Sequence, residues 1–341
     1  MNARIVLIGA PGPIGGACTE AWHAVKLWRR FGCDVTCIPT WKIDGRFVQL
    51  LTEIGCRVQQ TTPGKCRVPD GSIVVSFCNM PFFDLAKAGA FRSCRTVWVP
   101  CMNYRSDREV RYHNAGLRFD AYVHQSEYQA RVLKPATTKH GIDETCWHHI
   151  PGWLDVDEFP FTPRRHRHRE PFVIGRLSRP DPRKFSPDTW SIYRGIPNVR
   201  ARVMGWTPNV ARRLGGGVPS WAECLEKGAE STREFLASLH AIVHVGGEAV
   251  ENWPRFALEA MAAGVPVVTD ASGGVPEMIA SGVSGILCSS PADFTAAACR
   301  LAEDERARLG MADLARRTVE TVLCEPETAW NRWQTLFDSL R

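Results

Sequence analysis

Two glutamates stand seven residues apart in the stretch Glu251-Asn-Trp-Pro-Arg-Phe-Ala-Leu-Glu259. Pro254 follows the first closely, and the run from Phe256 to Ala263 is helix-forming with an apolar face. Proline suits the first turn of a helix because it gives up no hydrogen bond there. Gly264 then closes the helix, and Val265-Pro-Val-Val268 reads as a buried strand. The spacing predicts Glu251 in the loop before the helix and Glu259 about a turn and a half inside it, at ~3.6 residues per turn. Between them, the first turn exposes backbone N–H groups at the positive end of the helix dipole. Such a site seats phosphate and offers a hydrogen-bond acceptor at each side. A nucleotide sugar has the matching outline, a diphosphate between two hydroxyl-bearing rings. An ordinary amphipathic helix with two solvated glutamates shares the bare spacing, so the surroundings must decide.

Those surroundings resemble the nucleotide-sugar site of the retaining glycosyltransferases of family 4, written E-x-F-x-x-x-x-L-E-A-M-A-x-G-x-P-V-V. Glu251, Leu258, Glu259, Ala260, Met261, Ala262, Gly264, Pro266, Val267 and Val268 match, and Trp253 stands where the family has Phe. Gly273-Gly-Val-Pro-Glu277 and Gly282-Val-Ser-Gly285 continue the match. Ile150-Pro-Gly-Trp-Leu-Asp-Val-Asp-Glu-Phe159 resembles the family's hinge, which accounts for Asp155 and Asp157 without a D-x-D metal motif. The resemblance implies an α/β protein of the GT-B fold, two doubly wound Rossmann-like domains facing a central cleft. It implies a retaining transfer from a UDP- or GDP-linked sugar, the co-substrate, to the hydroxyl of a small molecule, glycan or lipid, with neither cofactor nor metal.

The family's G-R…K pattern supplies two cations to the donor diphosphate. It falls here on Arg176 and Lys184, with Arg183 taking the place of Lys184 should the register shift. By the same resemblance Glu251 contacts the transferred sugar and Glu259 accepts from the ribose hydroxyls. Asn252, Trp253, Pro254, Arg255 and Phe256 then form the helix start under the donor, Gly15 and Gly16 lie beneath its phosphates and sugar, and the base sits near residues 228–231. Many relatives place a histidine in the loop equivalent to residues 100–104. This sequence has none, which leaves Asn103 and Tyr104 as hydrogen-bonding groups for sugar or acceptor; Tyr104 serves equally as a packed aromatic.

Elements of alternating type must hold these residues. A strand at 5–8, a Gly/Pro loop at 9–16, a helix at 19–31 and a strand at Asp34–Ile38 open a doubly wound α/β domain. The glycine spacing is not a dinucleotide fingerprint, and no acidic residue ends the second strand. Strands are predicted at Ile73–Phe77, 96–99, Ala121–His124 and 148–150, and in the second half at Phe172–Leu177, Val199–Met204 and 241–245. Helices are predicted after Ser186, at 231–239, and at 293–303, 305–323 and 326–340. The domains divide as 1–150, acceptor-binding; 151–170, hinge; 171–325, nucleotide-sugar-binding; and 326–341, a helix crossing back to the first domain. Its Trp330, Trp333 and Leu336, at helical spacing, read as a packed face.

Composition sets outer bounds. The 341 residues suffice for two domains, and no apolar run approaches the ~20 residues that span a bilayer. The first apolar run is too short for a secretory signal. Thirteen cysteines without a C-x-x-C pair or zinc-finger spacing read as reduced thiols of a cytoplasmic protein, with Cys33 and Cys37 structural. The charge of +6 fits an anionic substrate. The basic run 164–169 is a solvated linker or a polyanion contact. Together with the Arg-rich stretch 105–118 it keeps open sugar transfer to a hydroxymethylated DNA base, which would bind with steep salt dependence. A nucleotide-sugar isomerase or hydrolase, and a binding protein without chemistry, fit the same residues.

Overall fold

The computed structural model describes residues 3–12, 15–60 and 66–341. Pro13 and Ile14 of the glycine loop lie outside them. The chain forms two compact units, Met1–Asp155 together with Cys324–Arg341, and Val156–Leu323. Each is built on one parallel sheet.

The first unit contains β1 (Arg4–Ile8), β2 (Asp34–Ile38), β3 (Arg57–Val58), β4 (Ile73–Phe77), β5 (Arg95–Val99), β6 (Ala121–His124) and β7 (Trp147–His149). Their order is β3-β2-β1-β4-β5-β6-β7. Every paired strand here is parallel, and the central ones are continuous β-branched and aromatic runs, as burial on both faces requires. Strand order reverses beside β1, and the glycine loop follows its carboxyl end. That switch point is where doubly wound sheets receive ligands. The helix Gly16–Arg30 begins three residues earlier than predicted because the Gly15 carbonyl already accepts from Cys18 and Thr19. Its Trp28 is fully buried against Trp333 and Phe337 of the helix Pro326–Ser339. Trp330 stacks on Phe31 with centroids 5.2 Å apart.

The second unit contains β8 (Phe172–Leu177), β9 (Val199–Met204), β10 (Ala222–Leu225), β11 (Ala241–His244), β12 (Val267–Asp270) and β13 (Ile286–Cys288), in the order β10-β9-β8-β11-β12-β13. Its switch point lies between β8 and β11. The strand predicted at 265–268 is displaced to Val267–Asp270. Pro266 has no N–H for the ladder, although its carbonyl accepts from Ile242. β3, β10 and β13 had no sequence expectation, being short and partly polar or exposed. Beyond them, helices Pro291–Glu303 and Glu305–Thr318 and a π-helical turn Val319–Leu323 complete the unit. The single helix predicted over 305–323 is thus interrupted at its end. All thirteen cysteines are free thiols, and Cys33 and Cys37 are buried. Among the described residues no helix is long and apolar enough to cross a membrane.

Candidate active site

The helix Arg255–Ala263 is buried at all nine positions. Pro254 is the N-cap and not a residue of the first turn, with φ −70° but an extended ψ of 117°, so Arg255 opens the helix. No side chain caps this end and no acidic residue lies in its first turn, so the dipole's positive pole is not neutralised from within the helix. The other end is well fastened. Gly264 stops the helix at φ 81°, and a side chain there would strike the Phe161 ring. Arg316 Nη1 donates to the carbonyls of Ala262 and Phe159, both at 2.7 Å, and Thr162 N donates to Ala263 O at 3.1 Å. The segment after the hinge motif is thereby tied to the end of the helix.

Lys184 and Glu251 meet ahead of the helix. Lys184 Nζ lies 2.6 Å from Glu251 Oε1, with the two side chains 17 % and 20 % exposed. Local chemistry positions both. The turn Pro182–Lys184 is capped by Asp181, whose carboxylate accepts from Arg183 N at 3.0 Å. Arg183 O then accepts from Ala249 N at 2.9 Å, which locks this loop to the one carrying Glu251. On the far side Gly274 N donates to Glu251 O at 3.1 Å. Gly273 has φ 61°, and a Cβ there would collide with that same carbonyl, which explains the first glycine of the pair. Arg183 turns away, 64 % exposed and paired with Asp181, so the register places Lys184 and not Arg183 beside Glu251.

Arg176 departs from its expected place. Its guanidinium is not open to solvent but fully buried, donating to the carbonyls of Val245 and Lys184 and lying 4.3 Å from the Phe185 ring centroid. Burial pulls its pKa down, opposed by Tyr193, Glu251 and Asp270. The reason is local: two carbonyls, one just past the end of β11 and one at the end of the turn Pro182–Lys184, need donors, and an aromatic face covers the cation. Arg176 therefore fixes the backbone of the residue that presents Lys184 Nζ.

Three further titratable groups belong to this helix and to the ends of β11 and β12. Glu259 is 7 % exposed, with its Oε1 3.9 Å from Arg255 Nε; burial pushes its carboxyl up to about 7, against the lowering effect of Arg255. His244, the last residue of β11, stacks on Phe256 with centroids 3.9 Å apart. Burial, then the charges of Arg176 and Lys184, hold it neutral, well below the usual histidine range. Asp270 ends β12, and its Oδ2 accepts from Gly246 N at 2.5 Å. Asn252 and Trp253 are buried between Glu251 and the helix.

Residues 172–304, from β8 to the end of the helix Pro291–Glu303, match the family model described as glycosyl transferases group 1. The second unit carries a group 1 glycosyl transferase domain. No curated protein sequence matches the chain. Among solved structures it is similar to Anabaena HepE in complex with UDP and glucose, with TM-score 0.73, 17% identity, and 99% of this chain and 100% of that one covered. It is also similar to a mutant of S. aureus TarM in complex with Fondaparinux, alpha-GlcNAc-glycerol and UDP (TM-score 0.76, 10% identity, 99% and 100% covered). A third likeness is to sucrose-phosphate synthase from Thermosynechococcus elongatus (TM-score 0.75, 16% identity, 99% and 100% covered). At these identities the likeness establishes the fold, GT-B with two Rossmann-like domains, over nearly the whole chain.

Four further predicted residues, Gly15, Gly16, Asn103 and Tyr104, lie in the first unit. Gly15 is half-buried at the N-cap of its helix and Gly16 is exposed at the first position. Asn103 is half-buried, and Tyr104 is 52 % exposed, so the packed-aromatic reading of Tyr104 fails. Asp155 of the hinge motif pairs with Lys26, and its N–H donates to His23 Nδ1 at 3.0 Å. In the second unit Ser231, near the expected base site, caps the helix Thr232–Ala237 through a capping box. The basic run is partly tied down: Arg164 donates to Ser238 O and pairs with Glu170. Sequence reasoning missed His244 and Asp270. His244 ends β11, beside the switch point, and Asp270 ends β12, the next strand over; a strand's carboxyl end was the available signal.

Proposed function

We propose that this glycosyltransferase moves a sugar from a nucleotide-diphosphate donor to the hydroxyl of a small molecule, glycan or lipid, with retention and without a metal. The observation that carries the reading is the Lys184–Glu251 pair, set ahead of an uncapped helix start with Glu259 a turn inside. Breaking the anomeric bond places charge on the leaving phosphate, and stabilising it is mainly electrostatic work. Lys184 exchanges Glu251 for that phosphate, the helix start adds its N–H groups, and the released Glu251 accepts from a sugar hydroxyl. Arg176 acts through Lys184, by holding its carbonyl. Glu259 accepts from the ribose, Trp253, Arg255 and Phe256 shape the seat, and Gly15, Gly16, Asn103 and Tyr104 serve the sugar and acceptor side. The UDP in the HepE and TarM structures supports a UDP-linked donor. Retention follows from a same-face displacement in which the leaving phosphate takes the acceptor proton, since among the described residues no carboxylate is clearly set as a covalent nucleophile.

Thermal unfolding with UDP- and GDP-sugars tests the donor assignment. The true donor at ~100 times its dissociation constant adds about 2.7 kcal/mol of stability. Glu259→Ala abolishes most of that gain, and an unchanged gain removes Glu259 from the donor site. Anomeric configuration of the product, read by NMR, tests retention, and an unchanged rate in chelator tests metal independence. Turnover of donor without acceptor would instead favour a hydrolase or isomerase.

Glu259 also makes stability depend on pH. Its carboxyl holds its proton more tightly folded (about 7) than its ordinary 4.5, so its contribution is complete below about pH 4.5 and is lost as pH rises through about 7. A rise of that size is worth roughly 3 kcal/mol. Urea unfolding at about pH 5 and about pH 8 should show wild type losing more stability than Glu259→Gln by up to that amount. Equal losses would show that the buried carboxyl is not perturbed.

A further inference from the structure

A second cluster of chemically competent side chains lies in the first unit, outside everything assigned to the donor. β6 and β7 pair in parallel, with His124 directly opposite His149. Their rings lie parallel, 6° from coplanar orientation, with centroids 4.9 Å apart. Two residues after β6 ends, Ser126 caps the helix Glu127–Thr138 by accepting from Gln129 N at 3.0 Å, so Glu127 is its first residue. Gln129 holds this corner rigid: its Oε1 accepts from Gln125 N and its Nε2 donates to Met102 O, both at 2.7 Å. The result is that two imidazole nitrogens converge on one carboxylate oxygen. His149 Nδ1 is 3.1 Å and His124 Nε2 3.9 Å from Glu127 Oε1.

We propose that His124, Glu127 and His149 bind a divalent transition ion of the zinc class, with the remaining coordination open to solvent. All three donor atoms lie within 4.8 Å of one another. Tetrahedral zinc with ligands at about 2.0–2.1 Å requires neighbouring donors ~3.4 Å apart. The two observed separations bracket that value, so small side-chain rotations admit the ion. Two imidazoles and one carboxylate suit zinc, cobalt, nickel or copper, whereas magnesium and calcium favour all-oxygen sites. Coordination needs neutral imidazole, so binding should weaken as pH falls. Glu127 and His149, 58 % and 35 % exposed, leave a route for entry. A plain His149–Glu127 ion pair is the competing account, and it gives no role to the convergence of His124 on the same oxygen. The site uses none of Lys184, Glu251 or Glu259, so this inference and the donor reading fail separately.

The test is titration of the chelator-stripped full chain with cobalt(II), then zinc(II). One equivalent of cobalt should bring visible ligand-field absorption without the near-ultraviolet band of thiolate ligands, and zinc should displace it while magnesium does not. Glu127→Gln, an exposed change that leaves the fold intact, and His149→Ala should each weaken binding by about tenfold or more. Circular dichroism checks that both variants are folded. No binding at one equivalent, a thiolate band from the cysteines, or affinities in both variants within about twofold of wild type would each overturn the proposal.

Discussion

Lys184→Ala is expected to lower the transfer rate at saturating donor by about 10²–10³-fold. A cation ~4 Å from the developing charge is worth up to ~4 kcal/mol at an effective dielectric of about 20, and each ~1.36 kcal/mol is tenfold in rate. Lys184 is 17 % exposed, so water replaces only part of it. The substitution also strips Glu251 of its cation and leaves a bare carboxylate facing the diphosphate. Donor affinity should therefore fall too, and the neutral pair Lys184→Ala with Glu251→Gln should recover part of it. That non-additivity is what residues in direct contact show. Initial rates and donor dissociation constants for the four proteins decide the matter. A Lys184→Ala rate within about threefold of wild type, under half of one ~1.36 kcal/mol decade, would mean that the leaving charge is met elsewhere.

Trp333→Ala should cost the first unit about 3–5 kcal/mol, the usual range for deleting a large buried aromatic. Trp333 is 4 % exposed and meets Trp28 edge-on at 5.1 Å, Phe337 at 5.5 Å and Phe77 at 6.3 Å. Its loss opens a cavity over Trp28, which is otherwise completely covered. Calorimetry of the full chain should show one transition moved strongly downward. Trp330→Ala, which removes a half-buried ring stacked on Phe31, serves as a milder comparison. A Trp333→Ala shift no larger than that of Trp330→Ala would mean that the helix is held by other contacts.

Much of this could be read from residue order because the deciding signals are local. Glu251, Pro254, Glu259 and Gly264 announce a loop, a helix and its stop within fourteen positions, and the structure places that helix at Arg255–Ala263. Strands β4 and β6 were legible because a continuous apolar run has few other uses. What stayed hidden depends on distant partners. That a Gly-Arg pair lies near the end of β8 is local information; that Arg176 turns inward is decided by the carbonyls of Val245 and Lys184 and by the Phe185 ring. His124 and His149 become neighbours only through sheet order, which no window of sequence displays. β3 survives as two residues because Cys37 and Thr36 supply its ladder.

The division of the chain reverses the usual order of completion on the ribosome. Domains generally mature amino-terminal first, but the first unit here needs the helix Pro326–Ser339, and the whole of Val156–Leu323 is translated before it. At ~5–20 residues per second that interval is on the order of ten to thirty seconds. Throughout it, the nascent first unit lacks the cover that Trp333 gives to Trp28 of its helix and Phe77 of its sheet. The time during which newly made protein invites chaperones, or its own neighbours, is therefore set by the length of the segment inserted between the two parts of the first unit.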